Sequence, residues 1–337
     1  MNTSESTPNT AADGPIMAVV AGVVTDASGR VLIARRHAGT HQGGRWEFPG
    51  GKKRPGERSF DALVRELDEE LGISVDVAQH LITVRHAYPD RTVDLEVWTV
   101  TRFRGTAFGR ENQPLRWVAV EDLDASEFPD ADRPVLRALG LPVLYLLSDA
   151  GRFGREEFLR RLEHTLAAGA RLIQLREPGL AAADFRTYAR EVVALCHQYG
   201  AQVLLNAPVE QVLECGADGI HLNGRRLGEM ASRPLDLRYR VAASCHDVAQ
   251  MERARRIGAD FIVLSPVLAT RSHPGALPLG WNRFRVLCAA AGLPVYALGG
   301  LRAEDLGSAQ QAGARGIALL SGVWDAEEPE SVIAGLV

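Results

Sequence analysis

Apolar and polar positions change their rhythm twice along this chain. Residues 1–15 (MNTSESTPNTAADGP) hold no apolar run and read as a disordered tail. Ile16–Val24 (IMAVVAGVV) is an apolar run of strand length. A turn at Asp26-Ala27-Ser28-Gly29 leads to a second strand, Arg30–Arg36, so the pair predicts a hairpin. Further strands are expected at Val75–Arg85, Val93–Arg102 and Leu115–Val120. Before them the period lengthens. At about 100° per residue, Phe60, Leu63, Leu67 and Leu71 form one stripe. Gly72 suits a helix C-terminus, which predicts a helix from Arg58 to Leu71. Strands around one long helix, in a mixed sheet, make residues 16–139 an α+β sandwich.

After the joint Leu139-Gly140-Leu141-Pro142, short apolar runs alternate with amphipathic stretches. The runs are Val143–Leu147, Arg171–Arg176, Gln202–Asn206, Gly219–Leu222, Arg240–Ser244, Phe261–Ser265, Val295–Gly299 and Gly316–Ser321. Strand-then-helix units in this number predict a (β/α)₈ TIM barrel over residues 142–337. The C-terminal ends of barrel strands are where such folds carry their sites, and Arg176, Asn206, Gly299, Gly300 and Ser321 fall there. The glycine pair and the segment at Ser321 suit a phosphate cradle built from backbone N–H groups.

Length and composition narrow the function. A chain of 337 residues has material for two cores. Hydrophobic residues at 46% and charged residues at 24% are ordinary for a globular protein. A net charge of −4 without basic bias argues against a nucleic-acid polymer as partner and leaves a small nucleotide compatible. No run reaches membrane-spanning length, and the start lacks the apolar core of a signal peptide. Cys196, Cys215, Cys245 and Cys288 form no CxxC pair; buried free thiols in a reducing, cytoplasmic chain are expected.

The chemistry concentrates on the one helix of the first unit. Glu66, Glu69 and Glu70 sit at i, i+3 and i+4 and share a face. Their mutual repulsion gains an ordinary surface helix nothing. Mg²⁺, with Mn²⁺ as the alternative, would offset it, because hard cations prefer carboxylate and phosphate oxygens. Arg65 and the run Lys52-Lys53-Arg54 can balance the charge or meet phosphate. Gly50-Gly51, Glu57, Arg65 and Gly72 fall in register with these carboxylates, so the stretch reads G-x5-E-x7-R-E-U-x-E-E-x-G-U, with U apolar. This pattern is the Nudix box. Residues 16–139 resemble the MutT branch of Nudix hydrolases through WEFPGGK (46–52), YPDR (88–91), the G-R-E-x-Q-P loop (109–114) and E-F-P-x-A-x-x-P-V (127–135).

The resemblance implies Mg²⁺-dependent hydrolysis of a nucleoside triphosphate at its β-phosphorus, giving monophosphate and pyrophosphate. It implies sanitation of oxidised nucleotides, 8-oxo-dGTP above all. By the same likeness the metal set is the Gly50 carbonyl, Glu57, Glu66, Glu69, Glu70 and Glu111. The base is Glu66 or Glu111, and Arg65 orients Glu66 and Glu57. Arg36, His41, Glu47, Phe48, Pro49 and Gly50 would contact the nucleotide. The branch reads the oxidised guanine with an Asn, and this chain has Asp132 there. An ionised Asp accepts hydrogen bonds but cannot donate one to guanine O6.

The second unit resembles thiamine-phosphate synthase over nearly all of residues 143–324. The likeness lies in QLRE (174–177), LLN (204–206), GADGIHL (216–222), S-x-H (244–246), Ser265-Pro266, ALGG (297–300) and GIALLSG (316–322). The charged chemistry of that family is depleted here. Pro178 and His273 replace lysines, and Ala207 and Arg226 replace two metal-binding aspartates. A degenerate barrel is therefore expected, one that binds a thiamine-related phosphate or serves as scaffold. Three alternatives accompany this reading: hydrolysis of thiamine-pathway pyrophosphates, a ligand-sensing barrel that regulates the hydrolase, and retained synthase activity.

Overall fold

The computed structural model describes residues 16–39, 42–270 and 275–336. The predicted tail, His41 and His273 lie outside the described residues. The chain divides into two compact units, one up to Gly140 and one from Leu141.

The first unit contains β1 (Ile16–Val24), β2 (Val31–Arg35), β3 (Trp46–Glu47), β4 (Gly50–Lys52), α1 (Ser59–Leu71), β5 (Ser74–Ala87), β6 (Thr92–Arg104), β7 (Leu115–Val118) and α2 (Arg133–Leu139). They form a mixed sheet of order β4-β1-β6-β5 and a second sheet of order β3-β2-β7. The expected β1–β2 hairpin is not formed. The two strands meet at a single bridge, Thr25–Val31, and then part into different sheets. Instead β1 pairs in parallel with β6 from Ile16–Thr92 to Val24–Val100. The reason lies in the composition of the runs. Val20–Val24 and Val31–Ala34 are buried at every position, so each strand needs cover on both faces, which a two-stranded ribbon does not provide.

The predicted helix forms as α1, and it buries Ala62, Leu63, Leu67 and Leu71. Phe60 stays at the edge of this core, against the Trp98 ring at 6.0 Å. The helix settles on β1 where a side chain is missing: a Cβ on Gly22 would lie 2.8 Å from Leu67 Cδ1. At the C-terminus Gly72 takes φ 69°, and its N–H donates to the Asp68 carbonyl.

The second unit is a closed barrel of parallel strands: β8 (Leu144–Leu147), β9 (Leu172–Leu175), β10 (Gln202–Leu205), β11 (Gly219–Leu222), β12 (Arg240–Cys245), β13 (Phe261–Leu264), β14 (Val295–Ala297) and β15 (Gly316–Leu319). Tyr145, Phe261 and Tyr296 fill its interior as an aromatic cluster, with centroids 5.1–5.7 Å apart. Phe158, Tyr188, Phe284 and Trp324 belong to the larger core cluster of this unit, with the other buried residues of its helices. The four cysteines are buried and free. Among the described residues, no helix is long and apolar enough to cross a membrane.

Candidate active site

The polar face of α1 lies against β4. Strand β4 pairs with β1 (Ala21–Gly50, Val20–Gly51), which brings the glycine pair under the helix. Gly50 has no room for a side chain, and at Gly51 one would displace the Glu66 carboxylate. A Cβ on Gly50 would meet the Val20 carbonyl oxygen at 2.1 Å, and one on Gly51 would meet Glu66 Oε2 at 2.2 Å. The Gly50 N–H donates to Glu70 Oε2 at 3.1 Å.

Arg65 organises the remaining carboxylates. Its Nε and Nη2 donate to the two Glu57 oxygens, both at 2.8 Å. Nη1 donates to Glu66 Oε1 at 2.6 Å and to Glu69 Oε2 at 3.2 Å. Paired in this way, the Glu57 carboxyl is held down at about 2, chiefly by its hydrogen bonds to Arg65. Glu70 has no cationic partner of this kind. Burial pushes its carboxyl up to about 8, against the Gly50 N–H, and the charges of Glu47, Glu111 and Glu66 push the same way.

A second group of side chains comes from the end of β2, from β3 and from the turn before α2. Arg36, at the end of β2, is ion-paired with Glu47 of β3. Asp132, on the 3-10 turn Asp130–Asp132, is buried, and its carboxyl is pushed up to about 7. The cause is desolvation, then Glu47, with Arg36 opposing. Burial likewise raises the Tyr88 hydroxyl, which feels Asp132, Asp130 and Arg36 and accepts from the Ala131 N–H at 3.4 Å.

In the barrel, a cleft of about 330 Å³ opens at the C-terminal ends of β9, β10 and β11, with Arg176, Leu180, Phe185, Asn206, Asn223 and Arg226 in its lining. Arg226 Nη1 donates to Asn206 Oδ1 at 2.8 Å, and Asn206 Nδ2 donates to Gln174 Oε1 at 3.4 Å. Deeper inside, His221 is buried between the Tyr145 hydroxyl (3.1 Å) and Ser244 Oγ (2.7 Å). Burial, then the charge of Arg176, lowers its pKa to about 3.

Known proteins match both units. Residues 20–138 match the family model described as NUDIX domain, and residues 144–323 the one described as Thiamine monophosphate synthase. The 8-oxo-dGTP diphosphatase of Escherichia coli is 36% identical over 121 residues, which are 36% of this chain and 94% of that protein. The chain is a fusion of a Nudix domain and a thiamine monophosphate synthase family domain. The CTP pyrophosphohydrolase of Escherichia coli is 38% identical to the Nudix domain over 122 residues, 36% of this chain and 90% of that protein. The provisionally named thiamine-phosphate synthase 2 of Aquifex aeolicus is 37% identical to the synthase-family domain over 181 residues, 54% of this chain and 97% of that protein. The Nudix relatives make the first domain a pyrophosphohydrolase domain.

Within the Nudix domain, the residues expected from sequence divide three ways. Glu57, Arg65, Glu66, Glu69, Glu70 and Gly50 gather at the helix, while Arg36, Glu47 and Asp132 form a second group. Glu111 is exposed in its loop, 3.9 Å from His37, and reaches the helix site through its charge on Glu70. Phe48 and Pro49 turn inward. Phe48 is 3% exposed and packs on Phe128 at 5.6 Å, and the Pro49 carbonyl accepts the Gly22 N–H at 2.8 Å.

Among the described residues, no set of three or more His, Cys, Asp or Glu side chains is gathered closely enough to hold a metal ion. Arg65 draws Glu57, Glu66 and Glu69 to itself, and Glu70 faces Gly50. Sequence reading missed Tyr88 as a neighbour of Asp132 and Lys53 as a partner of Glu96 (3.0 Å) and Ser59 (2.7 Å). The YPDR motif was the available signal for Tyr88. In the synthase-family domain, Arg176 and Asn206 share the cleft, whereas Gly299, Gly300 and Ser321 follow β14 and β15, outside its lining.

Proposed function

We propose that the Nudix domain is a Mg²⁺-dependent nucleoside triphosphate pyrophosphohydrolase whose preferred substrate is 8-oxo-dGTP, and that the barrel has lost synthase activity. The observation that carries the first part is Glu70. Its carboxyl is pushed up to about 8 by burial first and then by the charges of Glu47, Glu111 and Glu66, and a divalent cation would offset both. The donor set fits Mg²⁺: Glu57, Glu66, Glu69, Glu70, Glu111 and the Gly50 carbonyl supply only oxygen. When bound, Mg²⁺ supplies charge neutralisation on the phosphates and orientation of a water.

The protein groups do the rest. Arg65 holds Glu57 and Glu66 by paired hydrogen bonds and fixes their orientation. A carboxylate of this set, Glu66 or Glu111, takes the proton of the water that attacks the β-phosphorus. The bond to the oxygen bridging the α- and β-phosphorus breaks, and nucleoside monophosphate leaves, with pyrophosphate as the other product. The raised carboxyl of Asp132 supports 8-oxoguanine. A neutral acid donates through its O–H and accepts through its C=O, the pairing an amide offers.

A second reading, a cytosine nucleotide as substrate, is favoured by the similarity to the CTP pyrophosphohydrolase. Fusion to a synthase-family barrel motivates a thiamine-pathway diphosphate as a further arm. The deciding experiment is turnover of 8-oxo-dGTP, dGTP, CTP and hydroxymethylpyrimidine diphosphate by the purified chain, read as pyrophosphate and phosphate release. Equal kcat/KM for 8-oxo-dGTP and dGTP sinks the substrate assignment. Formation of thiamine phosphate from the pyrimidine diphosphate and thiazole phosphate sinks the loss of synthase activity.

A further inference from the structure

The barrel cleft is arranged for anions, and its charge comes from the protein. Its one lining carboxylate, Glu177, is turned away and used up. Oε1 accepts from Ser148 Oγ at 2.6 Å and from the Ala150 N–H at 3.0 Å, and Oε2 accepts from the Gly151 N–H at 3.1 Å. Two guanidinium groups, Arg176 and Arg226, line the same cleft. The positive charge of Arg176 is felt by buried His221, and Arg226 is itself disfavoured by burial and by neighbouring Arg225.

A divalent cation does not fit here. Mg²⁺ needs carboxylate oxygens, and the side-chain oxygens at this point belong to amides. Asn206 Oδ1 already accepts from Arg226 Nη1 at 2.8 Å and from Asn223 Nδ2 at 3.4 Å, and Asn223 Oδ1 accepts from the Arg226 N–H at 3.0 Å. Arg226 thus takes up the amide oxygens that a metal would need, and its fixed charge repels one.

The remaining wall is apolar, with Leu180 and Phe185 beside the arginines. We propose that this cleft binds the phosphate or diphosphate group of a small organic molecule without a divalent cation, with Arg226 in the position of the metal and Arg176 as its partner. The planar guanidinium supplies paired donors to tetrahedral phosphate oxygens, and the apolar wall receives the organic part. The proposal is independent of the hydrolase reading, because it concerns a different domain and a metal-free condition.

The test is calorimetric titration of inorganic pyrophosphate into the full chain, in chelator and in excess Mg²⁺. Binding is expected in chelator, and it should be no tighter with Mg²⁺ at the barrel. Arg226→Gln, which keeps a donor toward Asn206, should weaken it by about tenfold or more. Arg226→Lys should fall between, since it restores charge without the planar fork. Circular dichroism and a thermal melt check that both variants fold; if Arg226→Gln does not, Arg226→Lys alone decides, weaker than wild type supporting the proposal and unchanged affinity overturning it. Pyrophosphate heat only in Mg²⁺, no heat in either condition, or heat in chelator unchanged by Arg226→Gln overturns it. The last outcome would move the anion to the other domain.

Discussion

Asp132→Asn separates two roles that a buried carboxyl can play. In wild type the group is pushed up to about 7, so it is a hydrogen-bond donor below that pH and an acceptor only above it. If guanine O6 needs a donor, productive binding requires the neutral form. At about pH 8.5 the neutral fraction falls to roughly one in thirty, equivalent to about 2 kcal/mol at 1.36 kcal/mol per pH unit. The amide of the Asn variant does not titrate. The assay is kcat/KM for 8-oxo-dGTP in wild type and Asp132→Asn across about pH 6 to 8.5, taken as a ratio so that metal and general-base effects cancel. That ratio should fall by about thirtyfold as pH rises.

Stability must move with it. The folded carboxyl lies above its ordinary value of 3.8, so its contribution is full below 3.8 and is lost as pH rises to about 7. At about pH 8 the Asn variant should therefore be the more stable protein, by at most about 4 kcal/mol. A flat activity ratio together with equal melting temperatures at high pH would falsify the reasoning.

Three further outcomes follow from the helix site. Glu70→Gln should reduce pyrophosphate release by at least about a hundredfold. In chelator it should melt higher than wild type above about pH 8, because the carboxyl raised to about 8 is disfavoured when charged; retained hydrolysis removes Glu70 from the metal set. Arg65→Lys keeps the charge but cannot hold both Glu57 oxygens at 2.8 Å while reaching Glu66; kcat should fall by about tenfold or more with a smaller change in KM. Gly51→Ala puts a methyl 2.2 Å from Glu66 Oε2. The carboxylate must swing away, costing about a hundredfold in kcat/KM by steady-state assay, and full activity would show that Glu66 has no fixed position.

The carboxylate helix was legible because its pattern is local. Glu66, Glu69 and Glu70 share a face by helix geometry alone, and the carboxylate partners of Arg65 lie within eight residues of it. The barrel strands were legible for a similar reason, as apolar runs of fixed length between amphipathic stretches. What failed depended on distance. An apolar run does not say which sheet it joins, so β1 and β2 looked like a hairpin although each is covered on both faces. That Phe48 is buried against Phe128, eighty residues away, was equally beyond a local pattern. Arg226 read as a lost carboxylate; that its guanidinium reaches Asn206 depends on a rotamer and a turn, which sequence does not carry.

The separation of the two side-chain groups of the Nudix domain bears on how it can change. Glu57, Arg65, Glu66 and Glu70 depend on α1, β4 and the missing side chain of Gly22. Arg36, Glu47 and Asp132 are set at the end of β2, on β3 and on the short turn before α2. A substitution at Arg36 or Asp132 touches none of the Arg65 hydrogen bonds, whereas one at Glu47 also changes the charge that Glu70 feels. Gly50 allows no drift, since an added atom collides with the backbone of β1, and at Gly22 and Gly51 it would push on Leu67 and Glu66 of the helix. Selectivity in this domain is evolutionarily soft, and the cleavage apparatus is evolutionarily hard.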